Sequence, residues 1–80
     1  MSVKDAVAAR FSSLCQERKI RPNELANRSG VTPSTVYSLF DVRRRDVSVI
    51  TVKKLCDGLE IEIVEFFDSS LFKNLEQEIK

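Results

Sequence analysis

Apolar residues recur along most of this chain at helical spacing. Val7, Phe11, Leu14 and Cys15 lie at i, i+4, i+7 and i+8, with Val3 one turn earlier and Arg18 at the end of the stripe. That spacing predicts a first helix over about Val3 to Lys19 with a single buried face. Ile20 closes the stripe and tucks under the next element. Leu25 and Ala26 mark the inward face of a second helix, about Pro22 to Ser29, and Val36 and Leu39 that of a third, about Pro33 to Phe40. A fourth stripe, Val49, Val52, Leu55, Cys56 and Leu59, predicts a helix from Val49 to about Gly58, with Ile50 partly buried. Val49 to Val52 would also suit a short strand by propensity, but the stripe continues through Leu55 and Cys56 to a stop at Gly58. Glu60 to Phe67 predicts a short fifth helix presenting Ile61, Val64 and Phe67 or Phe66. Leu71, Leu75 and Ile79, widened by Phe72, predict a last helix over about 70–79.

The signals between these stripes are as informative as the stripes. Pro22 and Pro33 each suit the first position of a helix, where a fixed φ helps and the missing N–H is not needed. Thr32 and Ser48 are good N-caps. Gly30 stands where the second helix must stop, in the left-handed conformation that glycine adopts at little cost. Arg28, Ser29, Gly30 and Val31 thus form a tight turn, with Val31 packed between two helices and the small Ala26 permitting a close crossing. The unit is a helix-turn-helix, whose second helix can enter the major groove of DNA.

Eighty residues, 42% hydrophobic and 31% charged, suit one small globular domain spanning 1–80, with its core at about 7–67. No stretch approaches the roughly 18 apolar residues of a membrane span. The start MSVKDAVAARF lacks a basic region followed by an apolar one, so a cytoplasmic location is expected. Cys15 and Cys56 form no C-x-x-C pair and there is no histidine, which argues against a metal site. Both cysteines fall in apolar stripes and read as reduced core thiols; a bridge between them is the less favoured reading in that compartment.

The net charge of +1 hides an asymmetry. Residues 1–20 carry +2, residues 21–54 carry +4, and residues 55–80 carry −5. The helix-turn-helix half is therefore suited to a polyanion and the tail is not. The run Arg43-Arg44-Arg45, bounded by Asp41 and Asp46, is an exposed loop directly after the third helix. Alone it would read as a solvated loop with weak ion pairs; its place after that helix makes phosphate contact the better reading.

The stretch KIRPNELANRSGVTPSTV, Lys19 to Val36, resembles the helix-turn-helix of the phage repressor/Cro-type (XRE family) regulators, whose signature includes E-L-A and S-G-V. TVKKLCDGL, Thr51 to Leu59, is similar to their fourth helix, and Ile63 to Phe67 to their fifth. The resemblance covers about Phe11 to Phe67. It implies an all-α fold, a compact bundle of five to six short helices with a central helix-turn-helix, binding double-stranded operator DNA as a homodimer. It places base-reading residues at Thr32, Pro33, Ser34, Tyr37 and Ser38. Phosphate contacts fall at Arg21, Thr35, Arg43, Arg44 and Arg45. Three positions depart from the family pattern: Pro33 replaces a common Gln and can offer only apolar contact, Arg21 is a poor N-cap, and Asp41-Val42 stands where Asn-Gly is usual. Valine would be strained in a left-handed cap, so the third helix is expected to end differently.

Two readings of the last helix stand side by side: packing on the first helix, and a dimer interface through Leu71, Phe72, Leu75 and Ile79. Tyr37 reads as exposed and DNA-facing, with a half-buried core role as the alternative. Two functional classes remain. The first is a sequence-specific transcriptional regulator, with a palindromic operator and a repressor role. The second is a protein-interaction adaptor or antitoxin-like module using the same fold. The charge on the helix-turn-helix half favours the first. An enzyme finds little support, because a serine or cysteine nucleophile would lack a histidine base. No cofactor or small-molecule ligand is expected.

Overall fold

The hydroxyl of Ser2 accepts the amide of Asp5 at 3.2 Å and so caps the first helix, α1, Val3–Arg18. In a computed structural model, which describes residues 1–79, four further helices follow: α2 Pro22–Ser29, α3 Pro33–Phe40, α4 Val49–Gly58 and α5 Ile63–Phe67. A 3₁₀ turn at Ser70–Phe72 comes last, and there is no strand among the described residues. The expected all-α bundle with a central helix-turn-helix is therefore the observed architecture.

The caps follow the side-chain chemistry. Thr32 accepts the Thr35 amide at 3.3 Å and Ser48 that of Thr51 at 3.0 Å. Gly30 takes φ 68° and sends its amide to Ala26 O. Arg21 provides no side-chain cap for α2. Helix α3 ends without a left-handed residue: Asp41 is extended at φ −79°, ψ 114°, and Val42 is not among the positive-φ residues. The valine is thus accommodated by changing how the helix stops.

Helix α2 packs against both α3 and α4. Phe11, Leu25, Val36, Leu39, Leu55, Cys56 and Phe66 are buried, and each such aliphatic or aromatic side chain contributes about 1.5–3 kcal/mol. Phe66 stacks on Phe11 with centroids 4.3 Å apart, and Phe67 and Phe72 join the cluster at 4.9 and 5.7 Å from Phe66. Both cysteines are free and buried.

Basic side chains of α1 close the ends of three other helices. Lys4 Nζ donates to Asp41 O at 2.8 Å, at the end of α3. Arg18 donates to Leu59 O at the end of α4. Arg10 donates to Phe66 O at 2.8 Å and Glu65 O at 3.2 Å, at the end of α5. Each cation meets carbonyls that have no intrahelical partner and lie at the negative end of the helix dipole. Lys4 is 2% exposed.

Three sequence expectations are corrected. The helix expected over 70–79 is absent: after the 3₁₀ turn, Asn74 takes φ 59° and the Glu76 amide bonds to Met1 O. Drawing Phe72 into the aromatic cluster outweighs a short peripheral helix that is marginal on its own. Residues 60–62 belong to the turn closing α4, with Glu60 at φ 58° and the Ile61 amide on Cys56 O, so α5 starts at Ile63. Val49 and Val64, placed in buried stripes, and Ile50, expected partly buried, are exposed: Val49 lies one turn before Val52, where packing begins, and Val64 lies on the side of α5 away from Phe66. Helix α4 does end at Gly58 as expected, and a Cβ there would lie 2.1 Å from Ser29 Oγ, so the close approach of α4 to α2 favours glycine.

Candidate nucleic-acid interface

Helix α3 buries Val36 and Leu39 against the core. At about 3.6 residues per turn the opposite face is then Ser34, with Tyr37 on one side and Ser38 on the other. Pro33 and Ser34 are exposed, Tyr37 is 54% exposed and Ser38 half-buried. Tyr37 is thus on the outer face, as expected, and its hydroxyl donates to Asn23 Oδ1 of α2 at 3.2 Å. Asn23 was not singled out by sequence; only its place one position after Pro22 at the start of α2 could have pointed to it.

Thr32 is less available than its position suggests. Its hydroxyl holds the Thr35 amide and shares hydrogen bonds with Ser34 Oγ and Thr35 Oγ1, both at 3.0 Å. The three hydroxyls form one network at the exposed start of α3. Pro33, at the first helical position, presents only its ring.

The other side of α3 faces the start of α4 across a shallow cavity of about 250 Å³, whose lining includes Thr35, Ser38, Arg44, Asp46, Ser48 and Thr51. The four hydroxyls and the Arg44 guanidinium can donate to a phosphate oxygen, while the Asp46 carboxylate in the same lining opposes it by like charge. Ser48 and Thr51 join the candidate set here. The sequence identified Ser48 only as a cap, because the fold is needed to bring it beside Ser38. Arg21 is not part of this group: it is exposed at the start of α2, on the Tyr37 side of α3.

The arginine loop is ordered by its own acids. Asp41 accepts the Arg43 amide at 3.0 Å and binds its guanidinium at 3.1 Å through Nε and 3.0 Å through Nη2. The Arg43 hydrogen bonds hold the Asp41 carboxyl below its usual range, at about 2. Arg45 reaches Val42 O at 3.5 Å and lies 4.0 Å from Asp5. Among the described residues, Arg44 has no ion-pair partner. Lys53 pairs with Asp57 one turn on, so it is a local partner on α4. Lys4, Arg10 and Arg18 point at carbonyls of other helices, whereas Arg43, Arg44 and Arg45 stand exposed in the loop after α3.

The family model for the Cro/C1-type HTH DNA-binding domain matches residues 10–69. No curated protein and no solved structure matches the chain. No helix among the described residues is long and apolar enough to cross a membrane.

Proposed function

The chain belongs to the Cro/C1-type helix-turn-helix DNA-binding family, and from that premise we propose that it is a transcriptional repressor binding a palindromic operator as a homodimer. The observation that carries this reading is the outer face of α3, where Ser34 is flanked by Tyr37 and Ser38 and no acidic side chain precedes Asp41. In this reading α3 lies in the major groove. Ser34, Tyr37 and Ser38, with the Pro33 ring, set specificity; Thr32 acts mainly by capping the helix. Arg21, Thr35 and the arginine loop meet phosphates, which fixes register and supplies most of the affinity. Two copies would place their α3 helices about one DNA turn apart, roughly 34–36 Å. With no C-terminal helix, the second copy would be met by exposed apolar side chains such as Val49, Val64 and Ile79.

The test is selection of binding sites from a random-sequence duplex pool, with the Arg43→Glu, Arg44→Glu, Arg45→Glu variant in parallel. Enrichment of a two-fold symmetric site that the variant fails to retain supports the proposal. A folded protein that retains no duplex at low salt overturns it and favours the adaptor reading.

A further inference from the structure

The three arginines after α3 are not equivalent. Arg43 is gripped on its Nε–Nη2 edge by both carboxylate oxygens of Asp41. That edge is the one a guanidinium uses to meet a phosphate in bidentate fashion. Asp41 lies seven residues after Ser34, two turns along the same outer face of α3. The Arg43 side chain is otherwise 86% exposed, so Asp41 is what holds it. Among the described residues Arg44 has no such partner, and it lines the cavity between α3 and α4 together with Asp46 and four hydroxyls.

We propose that Asp41 is an internal competitor for the DNA backbone: it occupies Arg43, leaves Arg44 to make the phosphate contact of this loop, and thereby lowers affinity for DNA. Asp41 is a positioning residue in this account, acting through Arg43. The proposal rests on the DNA-binding reading and deepens it. Asp41→Asn is a mild probe, because Lys4 and Arg44 bond to the Asp41 backbone carbonyl, which the substitution keeps.

The experiment is fluorescence anisotropy with a short random-sequence duplex over a salt series, using proteins confirmed folded by circular dichroism. The set is wild type, Arg43→Ala, Arg44→Ala, Asp41→Asn and the Asp41→Asn, Arg43→Ala double variant. One phosphate contact corresponds to about 0.9 in the slope of log affinity against log salt. Arg44→Ala is expected to lose about that much, and Arg43→Ala to leave the slope unchanged. Asp41→Asn should bind about threefold tighter, the usual worth of an exposed ion pair, with a slope steeper by about 0.9. The gain should be clearly larger with Arg43 present than with alanine there, the signature of a coupled pair, because only then does the substitution free a guanidinium as well as remove a carboxylate. If the gain is equal with and without Arg43, the carboxylate acts only by repelling DNA, and the proposal falls while the DNA reading stands. Equal losses from Arg43→Ala and Arg44→Ala also overturn it. Absence of salt-dependent binding by the wild type removes the DNA reading itself.

Discussion

Lys4 Nζ donates to the backbone carbonyl of Asp41 at 2.8 Å, across 37 residues of sequence. A buried lysine on the first turn of α1 thereby fixes the point where α3 ends and the arginine loop begins. The bond is charge-assisted, and the lysine stem is covered as well. Lys4→Ala should therefore cost about 1–3 kcal/mol in urea denaturation. Lys4→Met, which keeps the stem and loses the donors, should cost less. Equal stability of Lys4→Ala and wild type would show that the contact does not anchor the loop.

The closeness of Gly58 to Ser29 gives a second prediction. Alanine is normally favoured over glycine in a helix by about 1 kcal/mol. At position 58 its Cβ would meet Ser29 Oγ at 2.1 Å and the Ser29 amide nitrogen at 3.0 Å. Gly58→Ala should thus destabilise, by roughly 1–3 kcal/mol. Ser29 Oγ is itself buried without a hydrogen-bond partner, so Ser29→Ala should be neutral or stabilising by up to about 1 kcal/mol. The double variant should be less destabilised than the sum of the two, as measured in a thermodynamic cycle.

The tail should behave as an anchored turn followed by non-helical chain held at Glu76 by Met1. Phe72 lies 4.8 Å from Phe67 in the aromatic cluster, so Phe72→Ala should cost about 1–3 kcal/mol. Ile79 is 83% exposed, and Ile79→Ala should change monomer stability by less than about 0.5 kcal/mol. Comparable losses from both would indicate a helix over 70–79 after all.

Two titrations test the electrostatics. Burial pushes the Cys56 thiol up from 9.0 to about 11. The folded state then holds the proton more tightly than the unfolded chain between those values, so the contribution of Cys56 to stability is complete below pH 9 and is lost as pH rises toward 11. Denaturation midpoints across that range should fall, and less steeply in Cys56→Ala. Asp41 runs the other way: depressed from 3.8 to about 2, it contributes stability above pH 3.8 that disappears as pH drops through 2. Its carboxyl resonance should titrate near 2, and should move back toward 3.8 in Arg43→Ala.

The stripes that became buried faces were legible in the sequence because one helix turn and one partner decide them: Phe11, Leu25, Val36 and Leu55 are where their spacing puts them. So were the caps at Thr32, Ser48 and Gly30, whose chemistry is local. What escaped the sequence depends on distant pairs. The roles of Lys4, Arg10 and Arg18 require knowing which helix ends lie beside α1. That Gly58 answers to Ser29, and that Phe72 joins Phe66 and Phe67 in place of a helical stripe, are likewise facts of packing. In the candidate site, the outer face of α3 followed from periodicity, whereas the unequal standing of Arg43 and Arg44 depended on where the Asp41 side chain turns.

The central claim is that DNA meets the outer face of α3 and the loop after it. The most direct measurement is a backbone-amide chemical-shift map of isotope-labelled protein titrated with a short duplex. Salt-sensitive shifts are expected at Ser34, Tyr37, Ser38 and Arg43 to Thr51, with α5 and the tail little changed. Shifts confined to α5 and the tail, or none at low salt, would contradict it.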